Sequence, residues 1–252
     1  MKSMTSTDRQ LIFGLHPVGA LLETKPECVI RLCVSEGRRD QKLETLLELA
    51  RQHSILVETV SRQHLDKLCN RANHQGVAAY CQKRVPYAEG DLKHLLANTT
   101  TPPFVLLLDN VQDPHNLGAC FRSADAAGVH VIIAPKDKSV GMTPVVSKVA
   151  CGAADMVPFV QVTNLVRTME LLKEMGIWLY GAAGEASQSL YQTNLSGPVA
   201  LVLGAEGEGL RRLTREHCDV LLNIPMQGSV SSLNVSVAAG VMLFEVVRQR
   251  MG

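Results

Sequence analysis

The sequence predicts an α/β protein with largely parallel sheets, organised as two units. Three observations carry that expectation. Short apolar runs alternate with helix-period segments from end to end. Two runs in the back half, FVLLLD (104–109) and VALVLG (199–204), are apolar almost throughout, the pattern of parallel strands covered on both faces. A stretch ending in a Thr/Pro cluster, KRVPYAEGDLKHLLANTTTPP (83–103), separates two series of elements and holds one short helical pattern. The expected organisation is a disordered lead-in at 1–10, a front unit at 11–82, a linker at 83–103 and a back unit at 104–252.

In the front unit VIRLCV (29–34) and ILVETV (55–60) read as strands. Between them QKLETLLELARQH (41–53) places Leu43, Leu46, Leu47 and Ala50 on one helical face. A third strand, GVAAYC (76–81), closes the unit. In the back unit FVLLLD leads into DNVQDPHNLGACFRSADAAGV (109–129), with Asn116 at the N-cap of a helix that Gly128 ends. Leu117, Cys120, Phe121, Ala124 and Ala127 form its buried face, and Arg122 points the opposite way. VHVIIA (129–134), IWLYGAA (177–183), VALVLG and VLLNIP (220–225) follow as strands with helices between. The last element is a helix from about Ser232 to Arg250, capped by Ser231 or Ser232, with Asn234 in its first turn. Arg248 and Arg250 suit the negative end of its dipole. Its small residues Ser236, Ala238, Ala239 and Gly240 let another backbone approach, so it is expected to be buried or to lie at a subunit contact.

Composition narrows the function without naming it. At 46% hydrophobic and 19% charged, the 252 residues are ordinary for a globular chain with a real core. No window approaches the roughly 18 apolar residues of a membrane span, and MKSMTSTDRQ lacks the apolar core of a secretory signal. Seven cysteines, an odd number with no C-x-x-C pair, argue against a disulfide framework and a zinc site. Cys28, Cys33, Cys69, Cys81, Cys120, Cys151 and Cys218 read as small buried or half-buried hydrophobes in a reducing, cytoplasmic compartment. Net charge is +1. Residues 1–101 carry 14 basic and 11 acidic side chains, a net of +3, and the remainder carries 11 and 13, a net of −2. That split suits an RNA-docking unit attached to a catalytic one, and equally a chance fluctuation.

Three segments of the back unit concentrate candidate chemistry. In the first, 109–129, Asn116 has an ordinary explanation as a cap and Arg122 as a solvated side chain paired with Asp125. In the second, VALVLGAEGEGLRRL (199–213), Gly204, Gly207 and Gly209 follow an apolar strand at the edge where open α/β sheets bind ligands. Their spacing is G-x-x-G-x-G, not the dinucleotide G-x-G-x-x-G, and the chain has no Walker loop, so the ligand is not a conventionally cradled pyrophosphate. In the third, LLNIPMQGSVSSLNVSVAAG (221–240), a hydroxyl-rich loop joins a strand to the last helix, and capping alone does not explain it.

In combination, N-x-G-x-x-x-R, then G-x-E-G-x-G, then I-P-M-x-G-x-x-x-S-L-N-V-S-x-A resembles the three signature motifs of the SpoU/TrmH family, in the SPOUT superfamily, which methylates ribose 2′-oxygens. The resemblance spans the back half and continues through NHQGVAA (73–79). That segment is similar to the end of the substrate-binding domain in the branch acting on a guanosine of 23S rRNA, in the peptidyl-transferase P loop. It implies a trefoil-knotted α/β domain holding S-adenosylmethionine in a bent shape, behind a smaller N-terminal α/β substrate-binding domain. It implies that backbone at Gly204, Ile224 and Leu233 lines the cofactor, with glycine clearing room for the adenosine. The polar residues it carries over are Asn116, Arg122, Glu206, Ser232 and Asn234. Arg122 is the family's candidate for activating the 2′-hydroxyl. A guanidinium normally stays protonated, so clamping the adjacent phosphate is an equally good role. Glu206 would hold Arg122 or a nearby amide, and the others would position the ribose. The resemblance further implies a homodimer through the C-terminal domain and large-subunit rRNA or its precursor particle as partner. It implies no metal, and His115 and His217 are read as making local hydrogen bonds. A tRNA ribose methyltransferase would share all three motifs, and a non-catalytic RNA-binding protein could keep the fold.

Overall fold

The computed structural model describes residues 9–37, 40–82, 86–205, 207 and 209–252, and the chain divides into two units between residues 85 and 86. The front unit runs β1 (Arg9–Phe13), α1 (Leu15–Thr24), β2 (Val29–Ser35), α2 (Gln41–Gln52), β3 (Leu56–Val60), α3 (Arg62–Leu68) and β4 (Val77–Gln82). Its strand order is β1-β4-β2-β3, with β2 and β3 parallel and β4 antiparallel to both its neighbours. Local chemistry sets the helix starts: the Asp40 carboxylate accepts the Leu43 N–H at 3.0 Å, and the Ser61 hydroxyl accepts the His64 N–H at 3.3 Å. One sheet face is covered by Val18 and Leu22 of α1 with Leu43, Leu46 and Ala50 of α2, and the other by Leu65 of α3. Strand β1 and helix α1 were not anticipated. Arg9 and Gln10, assigned to the lead-in, pair with Gln82 and Cys81; residues 1–8 of that stretch lie outside the described residues.

The back unit runs α4 (Leu92–Ala97), β5 (Phe104–Leu108), α5 (Pro114–Ala126), β6 (Val131–Pro135), α6 (Pro144–Ala150), α7 (Ala153–Met156), β7 (Phe159–Val162), α8 (Leu165–Glu174), β8 (Trp178–Ala182), β9 (Gln188–Ser189), β10 (Val199–Leu203), α9 (Arg212–Glu216), β11 (Val220–Asn223) and α10 (Val235–Arg250). The strand order is β7-β6-β5-β10-β8-β11-β9, and every pair is parallel. Strand β10 thus inserts between β5 and β8, both earlier in the sequence. Burial alternates as the pleat requires: Phe104, Leu106 and Leu108 join the core under α5, α6 and α10, whereas Val105 and Leu107 join the core under α4 and α8. Each such leucine contributes about 1.5–3 kcal/mol of burial.

Two expectations need correction here, and a third needs completing. The stretch 86–103 is not a free linker, because Leu92 and Leu96 of α4 are buried in the second core and Tyr87 bridges to Val160. Their i, i+4 apolar spacing outweighs the polar cluster that follows; residues 83–85 lie outside the described residues. Cys151 is exposed, at the left-handed end of α6, while the other six thiols are buried or half-buried; all seven are free. Arg250 stands in the last turn of α10 as expected, but its guanidinium is engaged beyond the helix. It donates to the carbonyls of Pro102, Pro103 and Gly197 and lies 4.9 Å from the centre of the Phe104 ring. No helix among the described residues is long and apolar enough to cross a membrane.

Candidate active site

Because all strands of the back sheet are parallel, the loops after β5, β8, β10 and β11 leave the same sheet edge. The first of them starts from a buried charge. Asp109 is fully buried; its N–H donates to the Leu203 carbonyl at 2.7 Å. Its carboxylate receives Arg211 Nε at 2.6 Å, Arg211 Nη2 at 2.5 Å and the Arg211 backbone N–H at 3.1 Å. The far end of the glycine loop is therefore tied to the end of β5, which lies beside β10. Within the loop Gly209 N–H donates to the Ala205 carbonyl at 3.0 Å, folding the segment back on itself. A Cβ on Gly204 would fall 2.0 Å from the carbonyl carbon and oxygen of Gly209 and 2.4 Å from Leu210 N. Glycine is thus required at 204 by the chain's own loop, a reason that the clearance argument for a cofactor did not contain.

Asp113, not Asn116, caps α5: its carboxylate accepts the His115 N–H at 2.9 Å, with Pro114 in the first turn. A proline at the first helical position has no N–H left without an acceptor, which favours this earlier start. Asn116 sits in the first turn, released from capping. The last helix shows the converse. It begins at Val235, and Asn234 is its cap, accepting the N–H groups of Ser236 at 2.9 Å and Val237 at 3.4 Å. Neither Ser231 nor Ser232 caps it. With its oxygen engaged there, Asn234 donates Nδ2 to Asn116 Oδ1 at 3.0 Å. The first and third motifs, 118 residues apart, meet in that bond. Gly118 has its own reason, since a Cβ there would stand 2.7 Å from Val149 Cβ where α5 crosses α6.

Residues 224–233 cross this edge with Ile224 and Leu233 half-buried and Ser232 exposed. No backbone–backbone hydrogen bond among the described residues engages them, so their amides and carbonyls are available to a ligand. The loop passes the end of β8, where a Cβ on Gly184 would lie 3.6 Å from the Ser231 carbonyl. Arg122 is exposed on the face of α5 away from the core, and no hydrogen bond or ion pair of its side chain is found among the described residues. Burial pushes the Cys120 thiol up to about 12, and Cys218 likewise, which excludes either as a nucleophile near neutral pH. His217 bonds locally, Nδ1 lying 2.8 Å from the Leu213 carbonyl. No group of three or more His, Cys, Asp or Glu side chains among the described residues could hold a metal ion. Glu206 lies outside the described residues.

Residues 103–244 match the SpoU rRNA Methylase family. The chain belongs to that family. Residues 11–87 also match a family of RNA 2′-O ribose methyltransferase substrate-binding segments. The chain is 54% identical over 243 residues, 96% of its length and 99% of the relative's, to 23S rRNA (guanosine-2′-O-)-methyltransferase RlmB of Pectobacterium atrosepticum. It is 53% identical over 241 residues, with 96% and 99% coverage, to the protein of the same name in Escherichia coli K12. Among solved structures it is similar to the SpoU methyltransferase AviRb of Streptomyces viridochromogenes in complex with AdoMet. There the TM-score is 0.74 at 25% identity, covering 97% of this chain and 92% of that one. The fold is that of the SpoU/TrmH methyltransferases. Within it the residues missed by sequence reasoning are Asp109 and Arg211. An acidic residue ending an apolar strand, DN at 109–110, was the available signal.

Proposed function

We propose that this protein is an S-adenosylmethionine-dependent methyltransferase that modifies the ribose 2′-hydroxyl of a guanosine in 23S rRNA, within the peptidyl-transferase P loop. The observation that carries the reading is the Asn234–Asn116 bond, which joins two of the three motifs at one sheet edge in a chain over 50% identical to enzymes of that name. When bound, S-adenosylmethionine supplies a methyl group on a sulfonium whose leaving group departs as a neutral thioether. The donor set fits such a ligand: backbone groups at Ile224 and Leu233, which no backbone–backbone hydrogen bond among the described residues engages, hold the edge of an adenine at the sheet edge that also carries Gly204. Arg122, exposed and not engaged by described residues, takes the phosphate next to the target ribose and aligns the 2′-oxygen. Ser232 and Asn116 position the ribose, Asn234 locks the loop to α5, and Glu206 holds Arg122 or a nearby amide.

Residues 11–82 supply RNA affinity, and 104–252 form the knotted methyltransferase domain. The protein works in the cytoplasm as a homodimer on the rRNA or its precursor particle. Supporting dimerisation, α10 buries Val235, Ala239, Met242 and Val246 but leaves Val237 51% and Phe244 49% exposed, seven residues apart on the other face. The test is transfer of labelled methyl from S-adenosylmethionine to 23S rRNA lacking the modification, mapped by resistance of the methylated ribose to alkaline cleavage. Transfer to tRNA instead, or cofactor binding without any transfer, would replace this function by one of its two alternatives.

A further inference from the structure

The front unit contains a polar pocket of about 480 Å³ between the end of β2 and the segment joining α3 to β4. Its volume is within the roughly 300–1,000 Å³ usual for small-ligand sites. Its floor is fixed. His74 is only 4% exposed, its Nδ1 accepts the Gly76 N–H at 3.0 Å, and its Nε2 lies 3.0 Å from Asp66 Oδ1. With Nδ1 accepting, the ring proton sits on Nε2 and is donated to Asp66. The backbone around it is unusual. Asn70, Arg71 and Gln75 have φ of 48°, 58° and 49°, left-handed values that a side-chain-bearing residue adopts at a cost. Such conformations persist where surroundings enforce them and cluster at sites. Around this floor stand Glu36, Arg62, Arg71 and Asn73, all exposed or half-exposed, whose side chains make no hydrogen bond or ion pair among the described residues.

Among the described residues the lining carries two guanidinium groups, two carboxamides and two carboxylates, and no aromatic ring apart from the His74 imidazole in its floor. A site for phosphate alone has no use for the carboxylates, and a stacking platform needs an exposed aromatic face. Donors and acceptors placed beside cations match a nucleotide whose base edge is unpaired, which RNA presents only outside its helices. We infer that this pocket captures one unpaired nucleotide of the substrate RNA, with Arg62 and Arg71 on its phosphate and Asn73 and the outer oxygen of Asp66 on its base edge. The inference rests on the front unit being the RNA-binding part of the proposed enzyme.

The test uses the full chain, a short fluorescent single-stranded RNA and the same RNA annealed to its complement. Glutamine replaces both arginines, which keeps most of the side-chain length and leaves residue 71 no worse placed at its positive φ. The Arg62→Gln/Arg71→Gln variant binds the single strand about tenfold more weakly. Its plot of log affinity against log salt is shallower by about 0.7, the share of the one phosphate that the two arginines hold. Asn73→Ala weakens the single strand without changing that slope. Both variants bind the duplex within about twofold of wild type and melt normally. Unchanged single-strand binding overturns the proposal, as does an equal loss on both RNAs, which would make the arginines general electrostatic contacts. A wild type that binds the single strand as described but moves no methyl to 23S rRNA would uphold the pocket and overturn the function.

Discussion

Replacing Asp109 with asparagine removes a negative charge from a place that water does not reach. Its carboxylate holds the Arg211 guanidinium and the Arg211 backbone N–H, and through them the far end of the glycine loop. The substituted amide could still accept the backbone N–H, but its nitrogen would face the guanidinium as a second donor. Charged hydrogen bonds of this kind contribute about 1.5–3 kcal/mol. Arg211 is 40% exposed in its side chain and can turn toward solvent, which places the cost of Asp109→Asn near the low end, about 2 kcal/mol. The opposite truncation is worse. Arg211→Ala leaves a carboxylate with 0% exposure and no counter-charge, a loss of about 3–5 kcal/mol. For a unit of this size each kcal/mol lowers the midpoint by about 2–4 °C. The back-unit melt therefore falls by about 4–8 °C for Asp109→Asn and by about 6–20 °C for Arg211→Ala. Both variants also lose affinity for S-adenosylmethionine in calorimetry. Shifts below about 1 °C for both, or a larger shift for Asp109→Asn than for Arg211→Ala, would refute the assignment of this pair as the anchor of the loop.

Arg122→Ala abolishes methyl transfer but leaves cofactor affinity within a few-fold and costs about 0.5 kcal/mol of stability, since the side chain is exposed; turnover near the wild-type rate would return Arg122 to the solvated surface. Gly204→Ala destabilises the protein even without cofactor, by about 1–3 kcal/mol, because the added methyl meets the backbone of residues 209–210; an unchanged melt with lost binding would restore the clearance explanation. His130 accepts the Phe104 N–H on Nδ1 at 2.9 Å, and burial, then the Arg250 charge, hold its pKa below the ordinary 6.5. Its contribution is complete above about pH 6.5 and is lost as the pH falls and the unfolded imidazole takes up protons first. Melts in that window should lose less on acidification for His130→Gln than for wild type. Deleting residues 1–85, which spares the buried Leu92 and Leu96, leaves a back unit that binds cofactor but methylates rRNA slowly or at wrong sites; normal rate and site would remove substrate choice from the front unit.

The parallel back sheet was legible because its strands are buried on both faces. An uninterrupted run such as FVLLLD has few other homes, and β5 runs from Phe104 to Leu108 as expected. Helix α2 was legible for the opposite reason, with Leu43, Leu46 and Ala50 marking one face of an otherwise polar segment. What escaped lacked such contrast. RQLIF is an edge strand with a single partner, and its pattern says nothing without knowledge of β4. Helix α4 was expected as one short helical pattern, but it is six residues long and flanked by turn formers, so the burial of its two leucines, a tertiary fact, went unread. The strand order, with β10 between β5 and β8, depends on long-range pairing that no local pattern encodes.

At the site the sequence located the segments but misassigned several roles within them. Asparagine serves equally as a cap and as a hydrogen-bonding partner, and only the actual helix starts decide. Asp113 takes the cap of α5 and frees Asn116, while Asn234 takes the cap of α10 and retains an N–H₂ to donate. The bond between them is possible because Asn234 exposes both halves of its amide, the oxygen to its own helix and the nitrogen to α5. An aspartate at 234 would cap as well and could not donate. An alanine would do neither and would cost about 0.5–2 kcal/mol through the cap alone. Asp109 is the reverse case: a carboxylate at a strand's end looks like a site group but faces inward, and it acts by holding Arg211. Gly204 shows why a glycine motif is ambiguous. The space a Cβ would fill is occupied by the loop itself, so the residue is demanded by folding before any ligand arrives. In the proposed reading the cofactor takes its hydrogen bonds instead from the backbone of residues 224–233, which no backbone–backbone bond among the described residues engages.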